Sequence, residues 1–174
     1  MASVLISMSG LPGVGKTTIA RLVCRQLKAV HLRVDTIETS LSTGPLKIEN
    51  VEGAGYAIAV ELARDNLNLG LDVVADTVNP IAITRQWWQS AARAANAKLL
   101  DVEVYCGDPE EHRRRVETRD ADIDGLELPT WADVTARAYE DWDGTVLRVD
   151  SAQQSAMDCA QMIVARAQEM VLDN

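Results

Sequence analysis

Residues 10 to 17 read Gly10-Leu11-Pro12-Gly13-Val14-Gly15-Lys16-Thr17, a full match to the spacing G-x-x-x-x-G-K-[ST]. A short apolar run at residues 3–8 precedes it. From residue 16 to about 28 a helical period follows, with Ile19, Leu22, Val23 and Leu27 on one face. That strand–loop–helix context makes the spacing a phosphate-binding loop rather than a Gly-rich turn that merely starts a helix. Glycines let the backbone curl until its N–H groups converge as an anion nest, and the helix N-terminus adds partial positive charge. Lys16 can reach the β- and γ-phosphates of a nucleotide, and the Thr17 hydroxyl can ligate Mg²⁺. The nucleotide-binding stretch is therefore Gly10, Leu11, Pro12, Gly13, Val14, Gly15, Lys16, Thr17 and Thr18, the last of which reads more as helix filling.

Working outward, short β-like runs alternate with helical periods. Strands are predicted at 30–34, 71–75, 99–105 and 145–149, and helices at 56–69 and 81–96. Asp108-Pro109-Glu110-Glu111 supplies an N-cap carboxylate, a proline at the first helical position and acids in the first turn. A further helix begins near Thr130, and Ser151-x-x-Gln154 reads as a capping box for the last one. The stretch from 40 to 55 has weak periodicity. Five strands with helices between them predict a doubly wound α/β domain with a parallel sheet covered on both faces. No linker or repeat divides the 174 residues, so one domain spanning 1–174 is expected.

Composition narrows the function. Hydrophobic residues make up 47% and charged residues 25%, ordinary globular usage that excludes disorder and a disulfide scaffold. The net charge of −9 argues against long nucleic acid as a partner, because phosphate contacts drive that binding. Lys16, Lys28, Lys47 and Lys98 are the only lysines among 17 basic residues, so arginine, the bidentate phosphate ligand, dominates. Cys24, Cys106 and Cys159 lack metal-like spacing and read as reduced, buried thiols. No apolar stretch is long enough to span a membrane, and a cytoplasmic protein is expected.

Beyond the loop, Val34-Asp35-Thr36 follows the second strand, Val73-Val74-Ala75-Asp76-Thr77-Val78-Asn79 follows the third, and an Arg-rich segment spans 113–119. With Gly10–Thr18, these resemble the P-loop kinases grouped with polynucleotide 5′-kinases, zeta-toxin-type kinases and chloramphenicol phosphotransferase. The resemblance implies a P-loop NTPase fold with sheet order 2-3-1-4-5 and a mobile lid after strand four, at about 113–130. It also implies ATP and Mg²⁺ as cofactors. A guanine-selective N-K-x-D motif is absent, which favours ATP.

The resemblance puts Asp35 where the phosphate acceptor is met; a carboxylate there can take the hydroxyl proton, or simply cap the next segment. Asp76, ending an apolar strand, takes the place of the acid that holds the Mg²⁺ shell with Thr17. Asn79 sits at the D-x-x-N position, where it would touch substrate or order the loop. Arg115 and Arg119, four residues apart on one helix face, would close over the transferring phosphoryl group. The alternative for the Arg cluster is a solvated face paired with Glu111 and Glu117. Arg85 and Arg137 are further candidates for holding substrate. Trp87, Trp88, Trp131 and Trp142 read as packing residues, with Trp87 or Trp131 as candidates to flank an acceptor, and His31 and His112 as structural. Polynucleotide kinases of this group carry a basic residue just after the Asp; here Glu38 stands nearby, against an acceptor phosphate at that point.

The reading is an ATP-dependent phosphotransferase acting on a hydroxyl of a small molecule. A kinase of nucleic-acid 5′ ends or nucleoside monophosphates, and a non-kinase ATP-binding switch, are the alternatives.

Overall fold

Strand β1 (Val4–Ser9) is buried at all six positions, which only the middle of a sheet covered on both faces allows. The computed structural model, which describes residues 2–45, 47–51 and 53–172, places it there. After β1 come α1 (Lys16–Leu27), β2 (Val30–Arg33), α2 (Val34–Thr43), α3 (Ala54–Asn68), β3 (Val73–Asp76) and α4 (Ala82–Ala94). Then follow β4 (Lys98–Tyr105), α5 (Pro109–Thr118), α6 (Trp131–Ala136), β5 (Leu147–Asp150) and α7 (Ala156–Leu172). The sheet runs β2-β3-β1-β4-β5 and every pairing is parallel, the order the resemblance implied.

Alternation along β1 builds two cores. Val4, Ile6 and Met8 pack with Ile19 and Val23 of α1 and Ile163 of α7. Leu5 joins Ala59 and Ala63 of α3 and Trp88 of α4 on the other face. Each fully buried Val, Leu, Ile or Met among them stabilises the fold by roughly 1.5–3 kcal/mol. The register sets Arg33 beside Asp76 at the carboxyl edge of the sheet, where the phosphate loop leaves β1. Among the described residues no helix is long and apolar enough to cross a membrane.

Three local features differ from, or go beyond, what the sequence shows. Residues 34–43 form α2, although three threonines and two serines make this a poor helix by propensity. Its hydroxyls are satisfied inside the helix: Ser40 Oγ donates to Thr36 O (2.7 Å) and Thr43 Oγ1 to Thr39 O (2.7 Å). The last helix is capped by Ser155, whose Oγ accepts from Asp158 N (3.2 Å), and not by Ser151. Ser151 Oγ donates instead to Tyr105 O at 3.0 Å. Of the cysteines, all free, Cys159 is buried but Cys24 and Cys106 are only half-buried. Burial still pushes the Cys24 thiol up to about 11.

Candidate active site

The phosphate loop is shaped by close packing. Gly10 has φ +134°, and a Cβ there would collide with the Val104 carbonyl oxygen of β4. Gly13, at φ +87°, lies flush against Val116 and His112 of α5. His112 Nε2 donates to Pro12 O (2.9 Å), and its ring meets Trp131 edge-on at 5.1 Å. The loop is thus braced from α5, and Leu11 packs into the core from the other end. Gly15, at φ +95°, starts α1.

Lys16 is buried, and its ammonium donates to Leu11 O (3.0 Å). Burial drives it down to about 8, although the Asp76 and Asp35 carboxylates pull the other way. Asp76 is buried too, which alone would raise its carboxyl. His31, Lys16 and the Thr17 hydroxyl outweigh that and hold it below the usual carboxylate range. His31 Nε2 lies 3.2 Å from Asp76 Oδ2. The Thr17 hydroxyl and Asp76 carboxylate are neighbours in the cavity wall, two hard oxygen donors at the mouth of the loop.

Asp35 stands in the first turn of α2 rather than at the end of β2, which stops at Arg33. Glu38 follows one turn later on the same side and packs over Gly55, where a Cβ would strike its side chain. Burial first, and then Asp35, raise the Glu38 carboxyl above its ordinary range, against the pull of Arg137. A cavity of about 460 Å³ joins these groups. Gly13, Gly15, Lys16, Thr17, Thr18 and Asp76 form one wall, and Asp35, Glu38 and Tyr56 another; Arg119, Arg137 and residues from the 119–130 connection complete it.

The expected arginines divide. Arg119 is the C-cap of α5 rather than part of its face, and lines the cavity with Arg137. Arg115 borders the cavity, but its guanidinium is engaged by Glu111 Oε1 (2.7 Å), Ser151 Oγ (2.9 Å) and Ser151 O (3.0 Å). That grip ties α5 to the end of β5. Arg113 pairs with Glu117 and Arg114 with Glu111, the solvated face that was the alternative.

Two candidates lie outside the cavity. Arg85 is buried, and its donors go to the carbonyls of Asn79 (3.2 Å), Glu140 (2.6 Å) and Asp141 (2.9 Å). The guanidinium also stacks 4.1 Å from the centre of the Trp142 ring. Arg85 therefore holds the 139–142 segment and is not among the residues that line the cavity. Asn79, at φ +48° and fully buried, donates from Nδ2 to Ser7 Oγ (3.1 Å) and from its backbone to Tyr56 Oη (2.9 Å). It orders the loop after β3. Trp88 is core, and neither Trp87 nor Trp131 lines the cavity.

Arg33, His31, Tyr56 and His112 belong to the site, and none is marked by a sequence motif. Arg33 contacts Asp122 (2.9 Å), Asp35 (3.6 Å) and Asp76 (3.9 Å). Tyr56 hydrogen-bonds to Thr77 and meets the Trp87 ring edge-on at 6.3 Å. The one available signal was position: Arg33 and His31 alternate into the edge strand that precedes Asp35.

Solved structures share this architecture. One is Mycobacterium tuberculosis APS kinase CysC in complex with AMPPNP and APS, with a TM-score of 0.72, 20% identity, and 97% of this chain and 98% of that chain covered. A second is Chaetomium thermophilum Kti12 in complex with ADP-AlF3, with a TM-score of 0.70, 22% identity, and 95% and 97% covered. A third is a gluconokinase from Sinorhizobium meliloti 1021, with a TM-score of 0.66, 16% identity, and 99% and 95% covered. No curated protein matches significantly by sequence. The AAA domain family matches residues 5–141, from β1 to beyond α6. The fold is that of the P-loop kinases, and the chain belongs to the AAA domain family.

Proposed function

We propose that the chain is a cytoplasmic ATP-dependent kinase that moves the γ-phosphate of Mg·ATP to a hydroxyl of a small molecule. The observation that carries this reading is the shared cavity. It is lined by a phosphate loop with its lysine and by a carboxylate, Asp35, placed to face an acceptor, with Arg119 and Arg137 lining it as well. A nucleotide switch needs the first wall and has no use for the second.

The residues fit the groups they are asked to hold. Positive-φ glycines and the start of α1 suit the phosphates of ATP. Paired oxygen donors from Thr17 and Asp76 suit Mg²⁺, which prefers a carboxylate and phosphate oxygens to an all-protein cage. Bound there, the cation would neutralise charge on the β- and γ-phosphates. Lys16 holds the same phosphates from the loop side. The acceptor hydroxyl approaches from the α2 side, and its oxygen forms the new P–O bond as the γ-phosphorus–ADP bond breaks. The hydroxyl proton passes to the Asp35 carboxylate. Arg119 and Arg137 stabilise the equatorial oxygens of the transferring group, and the 119–130 connection acts as the lid that excludes water.

The test is ADP release from Mg·ATP across hydroxyl-bearing metabolites and antibiotics, each hit checked by product mass, with Lys16→Ala protein as blank. Stimulation by one compound class with a phosphorylated product is expected. Tight ATP binding with no small-molecule stimulation would overturn the reading in favour of a nucleic-acid-end kinase or a switch.

A further inference from the structure

Arg33 ends β2 at the carboxyl edge of the sheet, in register with Asp76, and its side chain is only 11% exposed. Its Nη1 donates to Asp122 Oδ2 at 2.9 Å, a residue of the connection between α5 and α6. Its other nitrogens form long ion pairs with the two carboxylates of the site and no hydrogen bond to either. Nη2 is 3.6 Å from Asp35 Oδ2, and Nε is 3.9 Å from Asp76 Oδ2. Nε is buried and has no hydrogen-bond partner. Asp122 also accepts from Arg21 Nη2 of α1 at 2.8 Å. Three residues on, Gly125 rests on Thr43 at the end of α2, close enough that a Cβ would reach within 2.8 Å of it. The connection is therefore docked on α1, β2 and α2 together.

This arrangement leaves a guanidinium with one made and one unmade hydrogen bond, poised between two carboxylates that the chemistry needs free. We infer that Arg33 is a positioning residue acting as an interlock: docked on Asp122 it stands off Asp35 and Asp76, and when the connection undocks it closes on them. The inference rests on the kinase reading of those two carboxylates. Undocking removes Asp122 as partner and frees the guanidinium to move toward the two carboxylates it already faces, where the buried Nε, unpaired while docked, gains an acceptor. A movement of about 1 Å brings either remaining carboxylate to the ~2.8 Å of a charge-assisted bond. Asp35 is then occupied as a proton acceptor and Asp76 as an oxygen donor, so an open site neither transfers phosphate nor wastes ATP on water.

The experiment compares wild type, Asp122→Asn, Arg33→Gln and the double variant. Transfer and acceptor-independent ADP release are measured once an acceptor is known, together with ATP affinity and amide hydrogen exchange over 119–130. Asp122→Asn is expected to speed exchange over 119–130 and lower kcat for transfer by about tenfold or more. Adding Arg33→Gln to Asp122→Asn should recover several-fold of the lost kcat, because the quenching group is gone. A plain structural ion pair predicts no recovery. A double variant no faster than Asp122→Asn, or exchange unchanged by Asp122→Asn in an active kinase, would overturn the interlock. A wild-type protein that phosphorylates nothing fails the kinase reading first and removes the positioning role with it, which separates the two failures.

Discussion

Lys16 carries its charge where the fold resists it. Its folded value of about 8 lies below the ordinary 10.5, so between those pH values the unfolded chain binds more protons. Stability of the nucleotide-free protein should therefore rise with pH across that window, and the rise should vanish in Lys16→Met. The same substitution removes a buried charge. It should raise the Tm of the nucleotide-free protein by a few degrees in thermal unfolding while abolishing ATP binding in calorimetry. ATP affinity of the wild type should weaken as pH climbs past about 8, because the ammonium must then be re-formed on binding. Lys16 and Thr17 were legible because the loop's chemistry demands them at fixed spacing. Arg33, His31 and Tyr56 were not, since each acquires its role from a neighbour distant in sequence: His31 from Asp76, Tyr56 from Thr77, and Arg33 from Asp122.

Helix α5 links the loop to the far edge of the sheet, so its start matters more than its length suggests. Asp108 Oδ1 accepts from the amides of Glu110 (3.0 Å) and Glu111 (3.1 Å), as the Asp-Pro-Glu-Glu run predicted. Asp108→Ala should cost about 1 kcal/mol. For a chain of this size that is a Tm fall of roughly 2–4 °C, and ATP binding should weaken with it, since His112 on this helix braces Pro12. A capped helix of charged residues announces itself in sequence. Helix α2 does not, because its serines and threonines are poor helix formers until their hydroxyls bond back to the preceding turn and α3 covers Val34 and Ile37. That mattered for function, since α2 and not a strand end presents Asp35 and Glu38 side by side.

At the scale of the molecule, the central strand decides which polar groups the sheet must tolerate. Asp101 of β4 sits opposite Ser7 of β1, and burial pushes its carboxyl up to about 6 from 3.8 despite Ser7 and Arg85. A carboxyl raised on folding contributes stability below 3.8 that is lost as pH rises through about 6. Asp101→Asn should therefore raise the Tm at pH above about 7 and do little below about pH 4, in thermal unfolding across that range. The doubly wound class was legible from the alternation of strand and helix periods, whereas the order β2-β3-β1-β4-β5 came only with the family resemblance. Nothing local encodes which strands become neighbours. The site depends on that order, because β1 and β3 must be adjacent for Thr17 and Asp76 to meet, and β2 must be outermost for α2 to face them. The most direct test of the account is to measure ATP affinity and phosphoryl transfer together in Asp35→Asn and Lys16→Ala proteins. Asp35→Asn should keep ATP affinity close to that of the wild type and lose transfer by ~10²–10⁴-fold, while Lys16→Ala should lose both. Near-normal transfer by Asp35→Asn would contradict the assignment of Asp35 as the base and the kinase site built around it.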